Sequence, residues 1–180
     1  MKSLKFLLLL ILHIHASAFA GDIKRNFEVK VAVVDVQSIL ESSIAISGVR
    51  KSIDAISHDI QKYVTSKEQE FKAIEEELIK KRNHLTEQVF EKEVNNFDEK
   101  VNNAKKEMQG RKAKLEQAHA IAVSKVHEVT MEIINELARK YNFNLAIPSS
   151  QVLFASSDLN VTAEVITLLN SRLKSVKVNY

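Results

Sequence analysis

The sequence contains no cysteine. That excludes disulfides as a source of stability and removes thiol chemistry from consideration. It also suits an oxidising exterior or periplasm, where a stray thiol is a liability. Glycine and proline are nearly absent, with three and one in 180 residues. So few chain breakers point to long regular elements. No charge of one sign dominates either, since 26 basic side chains face 23 acidic ones. A nucleic-acid-binding role therefore finds no support in net charge.

The one long apolar run lies at the start. Lys2 and Lys5 form a positive lead, Phe6 to Ile14 is almost continuously apolar, and Ala18-Phe19-Ala20 supplies the small residues of a cleavage site. This pattern predicts a secretory signal at 1–20, cut after Ala20, with a run too short for a permanent membrane anchor. No cysteine follows it, so a lipoprotein is not expected. Loss of Lys2 and Lys5 brings the 26 basic residues down to 24 against 23 acidic, which leaves the remaining 160 residues close to neutral.

Residues 21–28 read as a polar lead-in. Val29 to Val34 is a β-branched run that predicts a strand buried on both faces. Asp35 is placed to cap a short helix through Leu40, and Gly48 marks a joint before the first long helix. From about Ser47 to Asn83 the apolar residues Val49, Ile53, Ile56, Ile60 and Tyr63 recur at steps of four and three. The phase slips near Lys67 and resumes at Phe71, Ile74 and Leu78, as a stutter does in a coiled-coil seam.

Lys80-Lys81-Arg82-Asn83-His84 breaks the pattern. Thr86 is the expected N-cap of a second helix from Glu87 to about Tyr141, with Leu85 and Phe90 spaced as a hydrophobic staple. Its seam runs through Phe90, Val94, Phe97, Val101, Ala104 and Met108, then Leu115, Ala118, Ala122, Val126, Val129, Ile133 and Leu137. Two matching seams joined by a short turn predict an antiparallel hairpin. The second helix is the longer, so its base should pack against the strands. Gly110 sits inside it and is followed by Arg111 at a seam position. That is either a point of bending or a harmless surface glycine, at a helix cost of about 1 kcal/mol relative to alanine.

After Tyr141, Asn144–Ile147 and Gln151–Ala155 read as two strands of a β-hairpin turning at Pro148-Ser149-Ser150. Asn160 is placed to cap an amphipathic helix bearing Val161, Val165, Leu168 and Leu169. The closing residues Lys174 to Tyr180 alternate Val176, Val178 and Tyr180, which fits a frayed end or an added strand. Three short strands bury little by themselves, so copies of the chain are expected to associate through them.

No constellation for catalysis emerges. A phosphate-binding glycine loop, a G-x-S-x-G elbow and an H-E-x-x-H pair are all missing from the sequence. His58, His84, His119 and His127 lack metal-ligand spacing. The clustered carboxylates Glu75, Glu76, Glu77, Glu91 and Glu93 alternate with lysine on solvated faces, whereas paired catalytic carboxylates need a partly buried site. The reading is therefore not an enzyme, with no cofactor, no metal and no nucleic acid. Asn160-Val161-Thr162 matches the N-glycosylation pattern, but capping explains Asn160 better. Lys80, Lys81 and Arg82 at the hairpin tip offer a contact for anionic lipid or acidic protein, or are simply a solvated turn.

Two stretches carry a resemblance. Lys30-Val31-Ala32-Val33-Val34-Asp35 leading into Ser38-Ile39-Leu40 resembles the opening of the Skp/OmpH family of periplasmic chaperones. Leu145-Ala146-Ile147, then Val152-Leu153-Phe154-Ala155-Ser156-Ser157-Asp158 and Val161-Thr162-Ala163-Glu164-Val165, is similar to that family's closing signature. The resemblance implies an α+β, predominantly helical protein in which a long antiparallel coiled-coil hairpin extends from a small oligomeric β-barrel body. Residues 21–45 and 142–180 would form the trimerisation body and 46–141 the hairpin. Val31, Val33, Leu145, Ile147, Val152 and Phe154 would serve the body of a homotrimer. The implied activity is ATP-independent holding of unfolded outer-membrane β-barrel proteins in the periplasm, a lipopolysaccharide contact being a further family proposal that no motif here locates. The alternative is a structural or adaptor periplasmic coiled coil without client holding, which explains the hairpin but not the strand signatures.

Overall fold

The computed structural model describes residues 28–180. The signal segment with its cleavage after Ala20 lies outside the described residues, as does most of the lead-in. The element order is β1 (Val31–Val34), α1 (Val36–Ser42), α2 (Ile44–Lys81), α3 (Glu87–Tyr141), β2 (Leu145–Pro148) and α4 (Thr162–Arg172). Single turns of 3-10 helix at Ser149–Gln151 and Ser157–Leu159 link β2 to α4.

β1 is shorter than the valine run. Val29 is exposed, while Ala32, Val33 and Val34 are all buried and so cover both faces of the strand. Asp35 then caps α1 as its sequence position predicts, its Oδ1 accepting the Ser38 amide at 2.9 Å. The joint between the short and long helices falls at Ser43 and not at Gly48, which lies inside α2. Ser43 is an extended, buried residue whose Oγ accepts the Ile46 amide, so the capping bond is what starts α2 there.

α2 and α3 form the hairpin, on the order of 57 and 80 Å long at 1.5 Å per residue. The rings of Phe71 and Phe97 meet edge to face across it with centroids 6.0 Å apart. α2 ends at Lys81, where Lys80 and Lys81 in the last turn suit the negative end of the helix dipole. Thr86 is the N-cap of α3 in position only. Its backbone is extended and its carbonyl accepts from Phe90, but its side chain makes no capping bond. Asn142 ends α3 in the left-handed conformation (φ 56°) that asparagine tolerates, and the Phe143 amide reaches back to the Ala138 carbonyl.

The expected β-hairpin at 144–155 is not formed. β2 pairs with β1 in parallel, in the register Val31–Leu145 to Val34–Pro148. Pro148 has no amide to continue a ladder, and Gln151–Ala155 finds no strand partner among the described residues. β2 instead completes a crossover whose connection is the whole helical hairpin. Asn144 laces the sheet edge: its Oδ1 accepts the Lys30 amide and its Nδ2 donates to the Glu28 carbonyl. On the other edge of β1 the Val161 amide donates to the Val33 carbonyl.

The core lies where the lower end of α3 crosses this small body, as its extra length predicts. Ile133 and Leu137 pack with Ala32 and Val34 of β1, Ile39 of α1, and Val165 and Leu169 of α4. Two polar clasps fix the angles. The Asp35 amide donates to Thr162 Oγ1 at 2.8 Å. Asn170 bridges the α1–α2 joint, accepting from the Ile44 amide and donating to the Ser42 carbonyl. The expected Asn160 cap is displaced by one residue: the N-cap of α4 is Val161, and Asn160 Oδ1 accepts the Thr162 amide at 2.9 Å in an Asx-type turn just before it. The residues after Arg172 form no strand.

Candidate functional site

Two surfaces stand out. The first is the hairpin seam. Of the residues assigned to it, Val49 and Ile60 are buried, and Ile53 and Ile56 are half-buried. Phe71, Ile74, Phe90, Val94, Phe97 and Val101 are also only half-buried, because two helices alone cannot enclose a seam.

At the phase slip the seam becomes polar. Tyr63 donates its phenol proton to Glu107 Oε2 across the hairpin at 2.6 Å, and Arg111 donates to Glu107 Oε1. The Arg111 guanidinium also lies over the Tyr63 ring, 4.4 Å from its centroid. The Glu107 carboxyl is thereby held below its ordinary value, first by the Tyr63 hydrogen bond and then by Arg111. The Tyr63 hydroxyl is raised by the same bond. Lys67 is half-buried, pairs with Glu70 at 2.7 Å, and its Nζ lies 5.9 Å from the Tyr63 ring centroid.

Thus Arg111 is not a lapse in the seam. It is half of a cross-hairpin polar layer. Beside this layer an apolar cleft of about 220 Å³ opens between the helices, lined by Tyr63, Val64, Phe71, Val101, Ala104 and Met108 among others. A Cβ added at Gly110 would meet nothing within 4 Å, and α3 runs on through that residue. Close packing therefore does not demand glycine there.

The tip residues Lys80, Lys81 and Arg82 are exposed, and Lys81 pairs with Glu77. Ile79 and Val89 expose apolar surface just below them.

The second surface belongs to the body. Leu153 and Phe154 are 108% and 89% exposed, an extreme for large apolar side chains. Leu145 is exposed as well, and Val31, Ile147 and Val152 are half-buried. Val33, by contrast, is 5% exposed within its own chain. Its position between β2 and the Asn160 bridge makes it part of the protomer's core. Sequence pattern treated Val33 and Phe154 alike, since both sit in apolar runs; only the fold separates them.

Outside the seam, α4 is fastened by exposed ion pairs. Glu136 accepts from Arg172, and Glu164 accepts from Lys140 and Tyr141. Both carboxyls are held below their ordinary values, Glu136 by Arg172 and Glu164 by Lys140 first and Tyr141 second. Among the described residues no helix is long and apolar enough to cross a membrane. No cluster of metal-ligating side chains occurs among them either.

No curated protein matches the chain by sequence. Among solved structures, the fold is shared with an OmpH-like protein from Caulobacter crescentus described as a candidate outer membrane chaperone. The TM-score is 0.75 at 16% identity, covering 84% of this chain and 89% of that one. The family model for OmpH-like outer membrane proteins matches residues 30–169, from the first strand through most of α4. With that match spanning both ends of the body and the whole hairpin, the chain belongs to the OmpH-like family.

Proposed function

We propose that this protein is an ATP-independent holdase that binds unfolded outer-membrane proteins in the periplasm and prevents their aggregation before membrane insertion. The observation that carries the reading is the hairpin itself. It is a long arm whose upper seam is half-exposed apolar surface interrupted by a polar layer, mounted on a small body. Such an arm offers many weak apolar and electrostatic contacts along its length and no deep pocket. Unfolded β-barrel precursors expose alternating apolar residues and unpaired strand edges, which are aggregation hazards. Weak, distributed contacts screen those hazards and release the client without a nucleotide cycle. Family membership supports a chaperone role in general.

In this reading residues 21–45 and 142–180 form a body that assembles with two further copies into a homotrimer. Leu153 and Phe154, exposed on a single chain, supply the apolar contact between subunits, with Val31, Leu145, Ile147 and Val152 beside them. Residues 46–141 then act as one of three arms around a shared cavity. Lys80, Lys81 and Arg82 extend the arm's reach to anionic lipid, including lipopolysaccharide.

The test is direct. Protein lacking residues 1–20 is mixed with a urea-unfolded outer-membrane protein and light scattering is followed on dilution. Suppression near stoichiometric ratio, by a species whose mass in solution is three subunits, is the expected result. Unchanged scattering would sink the holdase reading, and a monomeric mass would sink the assembly.

A further inference from the structure

The hairpin is underfilled at one level. Toward the tip from it the Phe71 and Phe97 rings meet across the seam, and toward the body Tyr63 reaches Glu107. Counting inward from both contacts, the level between them falls at Lys67 on α2 and between Val101 and Ala104 on α3. Neither helix supplies a side chain that fills it. The Lys67 ammonium turns to Glu70 on its own helix. The Ala104 methyl is too short to cross a gap that aromatic side chains prop open on both sides.

The gap shows as two clefts, of about 220 and 250 Å³, that share Tyr63, Lys67, Phe71 and Ala104. Val64, Val101 and Met108 complete the walls of the first, and Glu70, Lys100, Asn103 and Glu107 those of the second. At 3.6 residues per turn those two sets lie on opposite flanks of the seam. One flank is therefore apolar and the other polar. Of the charges around the level, Lys67 is paired with Glu70 and Glu107 with Arg111. Lys100, Lys105 and Glu68 have no ion-pair partner among the described residues, so one positive charge is left in excess.

Size and wall chemistry select the occupant. An apolar cavity of about 150 Å³ takes up benzene, so about 220 Å³ holds one aromatic side chain. A helix, about 10–12 Å across with its side chains, cannot enter. A single ring buries about 150–250 Å², far below the roughly 1,200 Å² of a stable protein interface, so a second folded copy is not the fit either. The Tyr63 and Phe71 rings favour an aromatic guest in edge-to-face contact, and Met108 adapts to guests of different shape. The excess positive charge favours an acidic residue beside that ring.

We propose that the apolar cleft between Tyr63 and Phe71 is a socket for one aromatic side chain of an unfolded β-barrel strand, with preference for an aromatic residue that has an acidic neighbour. This rests on the holdase reading for the identity of the client. Strands of membrane β-barrels carry aromatic residues in girdles at both interfaces, so a barrel precursor offers many such side chains. Entry requires no opening of the hairpin, because the space is already present. The ring supplies contact atoms to walls that lack them on one side. One ring per arm is a weak hold, and it gives the client a preferred seat on an otherwise uniform seam.

The probe is a synthetic barrel-strand peptide with one tryptophan beside an aspartate. The chain itself contains no tryptophan, so a blue shift of the peptide's emission reports burial of that ring. A saturable blue shift is expected with the unaltered chain. Ala104→Leu, which fills the level from within α3, should weaken binding about tenfold to a hundredfold. Lys105→Glu, at an exposed position, keeps the test independent of repacking; it should weaken the same peptide up to about fivefold and favour one with lysine in place of the aspartate. Equal affinity of the unaltered chain and both variants, or equally tight competition by a peptide with alanine in place of the tryptophan, overturns the proposal. So does a change in solution mass on Ala104→Leu, which would assign the cleft to a second copy. Peptide binding of the expected pattern without any suppression of client scattering would leave the socket standing and remove the holdase reading instead. Suppression of scattering with peptide binding unmoved by Ala104→Leu would do the reverse.

Discussion

Replacing Leu153 and Phe154 together with alanine separates assembly from folding. Within one chain the two side chains are 108% and 89% exposed, so their loss should change the protomer's own stability by no more than about 0.5 kcal/mol, as for ordinary surface sites. If they are buried between copies, each is worth about 1.5–3 kcal/mol relative to exposure. Together that is on the order of 3–6 kcal/mol per subunit, or at least a hundredfold in the assembly constant. Sedimentation equilibrium over a range of concentrations reads the difference directly. The expected result is a trimer that dissociates at far higher concentration in the variant, with the helical circular dichroism of each chain preserved. A variant that holds its trimeric mass at the same dilution as the unaltered protein would refute the assignment of this patch. Val33→Ala provides the contrast, because Val33 is buried within its own chain and its truncation should lower stability whatever the mass.

Three further outcomes follow from particular contacts. Gly110→Ala meets open space and should stabilise α3 locally by about 1 kcal/mol; amide exchange near residue 110 should slow about fivefold, and unchanged protection would mean the hairpin does not open there. Asn170→Ala removes both bonds of the clasp at Ser42 and Ile44, and at about 0.5–1.5 kcal/mol each the loss should appear as a lower thermal midpoint. An unchanged midpoint would mean the clasp adds nothing. Acid should loosen α4. Glu136 and Glu164 have folded pKa values lowered from 4.5, so their contribution is complete above that pH and lost as pH falls through the lowered values. Thermal midpoints should therefore drop in that acid window, less steeply in Glu136→Gln with Glu164→Gln; equal slopes would refute the linkage.

The sequence by itself determined the long helices and the cap of α1, though the joint before α2 fell at Ser43 and not at Gly48. α3 runs from Glu87 to Tyr141, just beyond its first and last seam residues, and Asp35 caps α1 as its position dictates. Such features depend on residues within a turn of one another. Polar features were harder to read. Arg111 looked like a break in the seam because its partner Tyr63 lies on the other helix and no pattern within α3 announces a cross-hairpin contact. The strand partners were decided only by tertiary structure. The apolar run around Val152 to Phe154 has the composition of a strand, but a strand exists only when a ladder partner is present, and β1 already has β2 on one edge and Asn160 on the other. The same holds for Val176, Val178 and Tyr180, whose alternation was visible from the start. Whether such a segment becomes a strand depends on which edge the folded chain leaves open beside it, and here Leu173 and Val176 pack on the body core and no ladder forms.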